Sequence, residues 1–283
     1  MTVGAYFLPR SMPEALGLLE RHGPDLLVMA GGTVAMPLIN EGLSLPEVVM
    51  GLRLAGLDGI ERRIDAQRIG ATATLTQLLG QDAVPMLQDA ARNTASWSVR
   101  NMATVGGNLF TPPPGGDVAV ALLALDASVT LASARGARVV PLADFYTGFL
   151  TNELAPDELL VELWVPITRG PTAYIKFGRK HASTPAVVTV AARLEWDDER
   201  VTGARIALGA VGPHPLRARR AEQLLVGTGL DAEAIAAAAD AAQQECEPFT
   251  DGIATDWYRR RMAGLLVRRA LEQLATRASR EDR

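Results

Sequence analysis

Asp25-Leu26-Leu27-Val28-Met29-Ala30-Gly31-Gly32-Thr33-Val34-Ala35 decides how the chain begins to fold, because an apolar run stops at two adjacent glycines. The run from Asp25 to Ala30 predicts a short buried strand, and Met36 to Gly42 reads as a helix stopped by glycine. Upstream, Pro13 to His22 places Ala15, Leu16, Leu18 and Leu19 at helical spacing behind Ser11, a residue type suited to the cap. Strand, glycine turn and helix in succession make a small α/β unit. Adjacent glycines can take up positive φ and bring backbone N–H groups close to a ligand. The following helix start adds partial positive charge, so the turn is a candidate cradle for a pyrophosphate. A plain tight turn uses the same residues.

A second glycine pair lies in Thr104-Val105-Gly106-Gly107-Asn108, with Arg100 and Asn101 just before it. Two glycines again free the backbone for positive φ, while Thr104 and Asn108 add a hydroxyl and an amide. Two such turns suit a ligand with two adjacent phosphates. Neither is the dinucleotide GxGxxG pattern or a P-loop, which argues against a nucleoside triphosphate.

Between about Gly51 and Pro166, candidate strands (Arg68 to Ala73, Ser128 to Leu131) mix with candidate helices (Leu75 to Leu79, Val118 to Leu125). Pro112-Pro113-Pro114-Gly115-Gly116 reads as a rigid loop followed by a flexible one. Gly170-Pro171 is a strong break. Beyond it come β-rich runs (Ala173 to Phe177, Ala186 to Leu194, Ala204 to Val211), then helices over Asp231 to Glu245 and Asp256 to Arg277. Strands followed by helices indicate an α+β C-terminal domain.

Composition narrows the function classes. The 283 residues are 48% hydrophobic and 21% charged, with a formal net charge of −4. That balance gives no electrostatic reason for a nucleic-acid or membrane-surface partner. The longest apolar run, Val118 to Leu131, is interrupted by Asp126 and falls short of the ~20 residues that span a bilayer. The N-terminus shows no secretory leader, so a reducing cytoplasm is expected. Cys246 is the single cysteine, and His22, His181 and His214 are scattered. An iron–sulfur cluster needs about four ligands, so metal chemistry is expected in another chain and no metal site in this one.

The two glycine segments resemble the FAD pyrophosphate motifs in the medium subunit of molybdenum hydroxylases, the xanthine dehydrogenase and carbon monoxide dehydrogenase type. The likeness runs through nearly the whole chain: Ser98 to Leu109, Gly116-Asp117, Ala121 to Asp126 and Tyr258 to Ala270 follow in the family's order. It implies an α+β chain with a two-subdomain, PCMH-type FAD-binding region over 1–168, parted at about 55/56, and a smaller C-terminal domain over 171–280. It implies that Met29, Ala30, Gly31, Gly32, Thr33 and Val34, with Thr104, Val105, Gly106, Gly107 and Asn108, wrap the pyrophosphate. Asp117 would hydrogen-bond the cofactor, with an N-cap role before Val118 as the bland alternative. Leu160 and Lys176 would line the flavin side, where the Lys176 ammonium could stabilise the reduced, anionic flavin. Strand alternation sets Lys176 opposite Phe177 and Arg179. Two positions depart from the pattern: Val34 replaces a usual Ser, Asp or Asn, and Thr184 stands where some members carry an aromatic.

The implied function is an oxidoreductase subunit with no catalytic acid–base residue of its own. Electrons would arrive from an iron–sulfur small subunit beside a molybdenum-cofactor large subunit, in a heterotrimer, and leave through FAD to an external acceptor. A stand-alone FAD-dependent oxidase or reductase is the rival, although no histidine lies near either glycine pair to tether a flavin. Arg259, Arg260, Arg261, Arg268 and Arg269 on the last helix form either a solvated face or a contact surface for a partner subunit.

Overall fold

The computed structural model describes residues 3–80, 84–168, 170–180, 183–197 and 199–281, with side chains up to 277; His181 lies outside the described residues. Three sheets organise the chain. The first is parallel, with Val48–Gly51 between Ala5–Phe7 and Leu26–Met29. Its helix Met12–His22 is capped as expected, the Ser11 hydroxyl accepting from the Glu14 amide at 3.3 Å. Ala15, Leu16, Leu18 and Leu19 face a core that includes Met50, Leu52 and Val161. The Leu26–Met29 strand is mostly half-buried rather than buried, because one side of it borders a cleft.

The second sheet is antiparallel and runs Ile60–Arg62, Ala66–Gly70, Leu159–Pro166, Ser128–Ser133, Gly136–Pro141. The strand expected to reach Ala73 ends at Gly70: the Ala71 amide still donates to Val161 of the neighbouring strand, but the Thr72 amide turns to the Leu57 carbonyl. Thr74 then caps Leu75–Leu79 through a reciprocal capping box with Gln77. A register shift between Leu160 and Glu162 bends the central strand, a device that re-aims side chains beside sites.

The third sheet, Thr172–Gly178, Ala186–Asp197, Arg200–Gly209, Leu216–Arg217, is antiparallel. Helices Arg219–Leu225, Ala232–Glu245 and Asp256–Glu281 share its core. Between the second and third sheets lies Asp117–Ala124, whose eight residues are all buried. An all-round apolar helix belongs where both faces are covered. Just beyond it, Asp126 sits at φ +53 and accepts from Arg193, Arg205 and Arg217 at 3.0, 2.7 and 2.9 Å. One carboxylate thus ties three strands of the third sheet to this helix.

The arginine-rich last helix departs from expectation at Arg259. Its side chain is 0% exposed, donating to the carbonyls of Ala186, Val187 and Ala210 and pairing with Asp251 at 2.8 Å. Arg259 is therefore an internal anchor, while Arg261, Arg268 and Arg269 stay exposed. Helical spacing alone does not tell which arginine of a run turns inward, because the carbonyls and the carboxylate that receive both Nη groups of Arg259 come from distant segments.

Candidate functional site

The two glycine pairs meet in space. A Cβ on Gly31 would stand 1.9 Å from the Met102 carbonyl oxygen, so only glycine lets the first turn press against the chain entering the second. Gly32 takes φ +69, the left-handed conformation that two adjacent glycines allow. At this turn the amides of Gly31, Gly32, Thr33 and Val34 have no protein acceptor among the described residues. Backbone donors left this way require a ligand or water.

The second pair is built differently. Gly106 and Gly107 lie inside the short helix Val105–Leu109, not in a turn, and neither has positive φ. Gly106 is required by proximity, since its Cβ would meet the Ala71 carbonyl oxygen at 2.7 Å. The amides from Val105 to Asn108 are already engaged: Val105 and Gly106 donate to Ala73 and Ala71 carbonyls, Gly107 to the Thr104 hydroxyl at 3.0 Å, and Asn108 to the Thr104 carbonyl. The expectation of a freed backbone here is corrected. Glycine at 106 serves close packing, whereas the free donors lie at the first pair.

Between the two segments opens a cleft of about 890 Å³, at the upper end of the roughly 300–1,000 Å³ usual for cofactor sites. Met29, Ala30, Gly31, Gly32, Thr33, Val34, Thr104, Gly106, Gly107, Asn108, Asp117, Leu160 and Lys176 all line it. Val105 does not; it is fully buried and faces the core of the second sheet. Thr94 to Ser96, Pro112, Pro114 and Ser183 also line the cleft, and no motif in the sequence signalled them.

Asp117 and Lys176 form one unit at the edge of the cleft. Lys176 Nζ lies 2.7 Å from Asp117 Oδ2, and the Thr189 hydroxyl donates to Asp117 Oδ1 at 2.9 Å. Each ionic side chain is only 7% exposed. Burial and the nearby Asp117 carboxylate push the Tyr174 phenol well above its ordinary range, so it stays a neutral donor, to the Asp117 carbonyl. The N-cap of Asp117–Ala124 is Gly116, not Asp117. The Asn108 side chain caps that helix, its Oδ1 accepting from the Val118 and Ala119 amides at 3.0 Å each. Val34 stands at the start of its helix with no side-chain cap bond, as an aliphatic residue must.

Removing Asp117 strands a buried ammonium whose one other partner among the described residues is the Asn93 carbonyl. Loss of one partner from such a pair typically destabilises by about 3–5 kcal/mol. Asp117→Ala is accordingly expected to lower the melting temperature of the chain as well as its cofactor affinity. Thermal denaturation of the variant beside wild type checks this; an unchanged midpoint refutes it.

The geometry suits a ligand with a phosphate-bearing middle, and the relatives of the chain carry the same architecture. Residues 2–168 match the family described as FAD binding domain in molybdopterin dehydrogenase, and 172–274 the CO dehydrogenase flavoprotein C-terminal domain. The chain belongs to the FAD-binding medium subunits of the molybdenum hydroxylase family. It is 34% identical over 280 residues to the carbon monoxide dehydrogenase medium chain of Afipia carboxidovorans, covering 96% of this chain and 97% of that one. The glyceraldehyde dehydrogenase medium chain of Sulfolobus acidocaldarius is 29% identical over 277 residues, with 96% and 98% covered. The solved carbon monoxide dehydrogenase of Hydrogenophaga pseudoflava superposes with a TM-score of 0.93 at 34% identity, covering 98% of each chain. As a member of this family, the chain is an oxidoreductase subunit whose cofactor is FAD.

FAD fits the residues present. Four residues that line a cleft of the right size carry amides without a protein acceptor among the described residues, and such donors are how backbone holds phosphate oxygens. Bound there, FAD supplies the redox chemistry, accepting single electrons and releasing a pair. The protein's part would be to bind it and hold it still: the Gly31 to Val34 amides would be its donors, while Gly106 lets the second wall close in and the Asp117–Lys176 pair joins the C-terminal sheet to the cleft. Among the described residues no helix is long and apolar enough to cross a membrane.

Proposed function

We propose that this chain carries electrons from an iron–sulfur small subunit, through FAD held in the cleft, to an external acceptor. A molybdenum-cofactor large subunit would oxidise the organic substrate, in a cytoplasmic heterotrimer of the three chains. The observation that carries the reading is the row Gly31 to Val34, which lines the cleft and whose four amides have no protein acceptor among the described residues. In this reading the pyrophosphate rests on those amides, with Met29 and Ala30 before them and Thr104, Gly106, Gly107 and Asn108 as the second wall. Leu160 and Lys176 border the flavin. The assignment of an FAD-binding region to 1–168, parted near 55, and a C-terminal domain to 171–280 is supported by the family matches over 2–168 and 172–274 and by a C-terminal core whose members all lie beyond residue 172.

The purified chain is expected to bind FAD non-covalently at about one per chain, since no histidine borders either glycine pair. Acid precipitation followed by absorbance of the supernatant measures this. Flavin remaining in the pellet, or a folded chain that takes up none, defeats the proposal.

A further inference from the structure

One wall of the cleft is the segment Thr94–Ser96, which follows the helix Pro85–Asn93. A helix end leaves carbonyls without intrahelical partners, and here two cations collect them. Lys176 Nζ donates to the Asn93 carbonyl at 3.0 Å. Arg100 Nη1 shares its N–H groups among the carbonyls of Arg92, Thr94 and Ala95 at 3.1, 3.0 and 2.9 Å. Ala95 stands at φ +51, a conformation alanine rarely adopts and one that persists only where surroundings enforce it. Arg100 is that enforcement.

The two cations differ in charge balance. Lys176 is matched by Asp117 at 2.7 Å. Arg100 is half-buried, has no carboxylate partner among the described residues, and keeps its Nε buried without an acceptor. Its guanidinium is always protonated, and a charge not neutralised by a partner acts at longer range through a partly dry interior. Behind this wall Arg100, which does not itself line the cleft, is therefore the cation whose charge no carboxylate matches among the described residues, whereas that of Lys176 is answered by Asp117.

The geometry points to Arg100 as a positioning residue for the cofactor: it holds the Thr94–Ser96 wall, with its left-handed Ala95, in shape and biases the cleft toward the reduced, more negative flavin. This rests on the flavoprotein reading above.

The test uses the full chain reconstituted with FAD, as wild type, Arg100→Lys and Arg100→Gln. FAD affinity is read by fluorescence titration, the flavin midpoint potential by dithionite titration against a reference dye, and folding by melting. Arg100→Gln is expected to bind FAD about tenfold more weakly and to shift the potential negative by about 30 mV, a tenfold change for a two-electron couple. Arg100→Lys keeps the charge but loses the planar fork, so its affinity falls several-fold while its potential stays near wild type. A potential in Arg100→Gln equal to wild type overturns the inference even if affinity falls, because a lost wall contact alone leaves the charge effect unmoved. If Arg100→Gln does not fold, the Arg100→Lys potential decides: a shift as large as 30 mV with charge retained overturns the inference. Failure of wild type to bind FAD removes the flavoprotein reading itself, a distinct outcome.

Discussion

Gly31→Ala is expected to abolish FAD binding, with the loss arising from a single methyl group. Its Cβ would lie 1.9 Å from the Met102 carbonyl oxygen and 2.7 Å from the carbonyl carbon. Both atoms belong to backbone, so no side chain can rotate aside and the two glycine segments must move apart. Overpacking in a well-filled interior usually destabilises by about 1–3 kcal/mol, and a backbone clash this close lies at or beyond the upper end. That corresponds to at least a roughly hundredfold loss of affinity. Gly106→Ala should follow, meeting the Ala71 carbonyl at 2.7 Å. Gly107→Ala is the control: its Cβ meets the movable Thr104 hydroxyl at 2.8 Å and nothing else nearer than 4.0 Å, so about 1 kcal/mol or less is expected. Fluorescence titration of the three variants, with circular dichroism to verify folding, ranks them. An unimpaired Gly31→Ala would mean that the cleft is not the site.

Expressed alone, the chain is expected to turn over no organic substrate, and to gain that activity only when its partner subunits are present. Its single cysteine supplies one of the roughly four ligands an iron–sulfur cluster needs. Burial also pushes the Cys246 thiol up to about 12, so it is not a thiolate at neutral pH. Flavin reduction by dithionite and reoxidation by an artificial acceptor should persist in the lone chain, since that chemistry belongs to the cofactor. Co-expression with the neighbouring genes, followed by size-exclusion chromatography, metal analysis and activity assay, gives the comparison. Turnover of an organic substrate by the lone, metal-free chain would favour a stand-alone flavin enzyme instead.

Much of the architecture is legible in the residues. The Ser11 cap, the Leu75–Leu79 helix, the strand from Ser128 and the long strand from Ala186 follow from patterns within one element. Such patterns persist because hydrophobic spacing and capping are local properties. The glycine pairs likewise announce a place where backbone must come close to something. Cysteine and histidine counts exclude a cluster site without any coordinates.

What the residues alone leave open is which groups face one another. The strand Leu159–Pro166 forms the middle of the five-stranded sheet, yet only its partners Ser128–Ser133 and Ala66–Gly70, both distant in the sequence, define it. Arg259 turns inward because carbonyls from distant Ala186, Val187 and Ala210 converge there. Gly106 is needed for its approach to Ala71, and the same glycine letters at Gly32 are needed for a left-handed turn. Asn108 caps a helix that starts nine residues later, and Arg100 serves a wall formed by Thr94 and Ala95. Local propensity can mark a residue as special, but its hydrogen-bond acceptor is chosen by packing, because long-range contacts alone bring buried donors and carbonyls within reach.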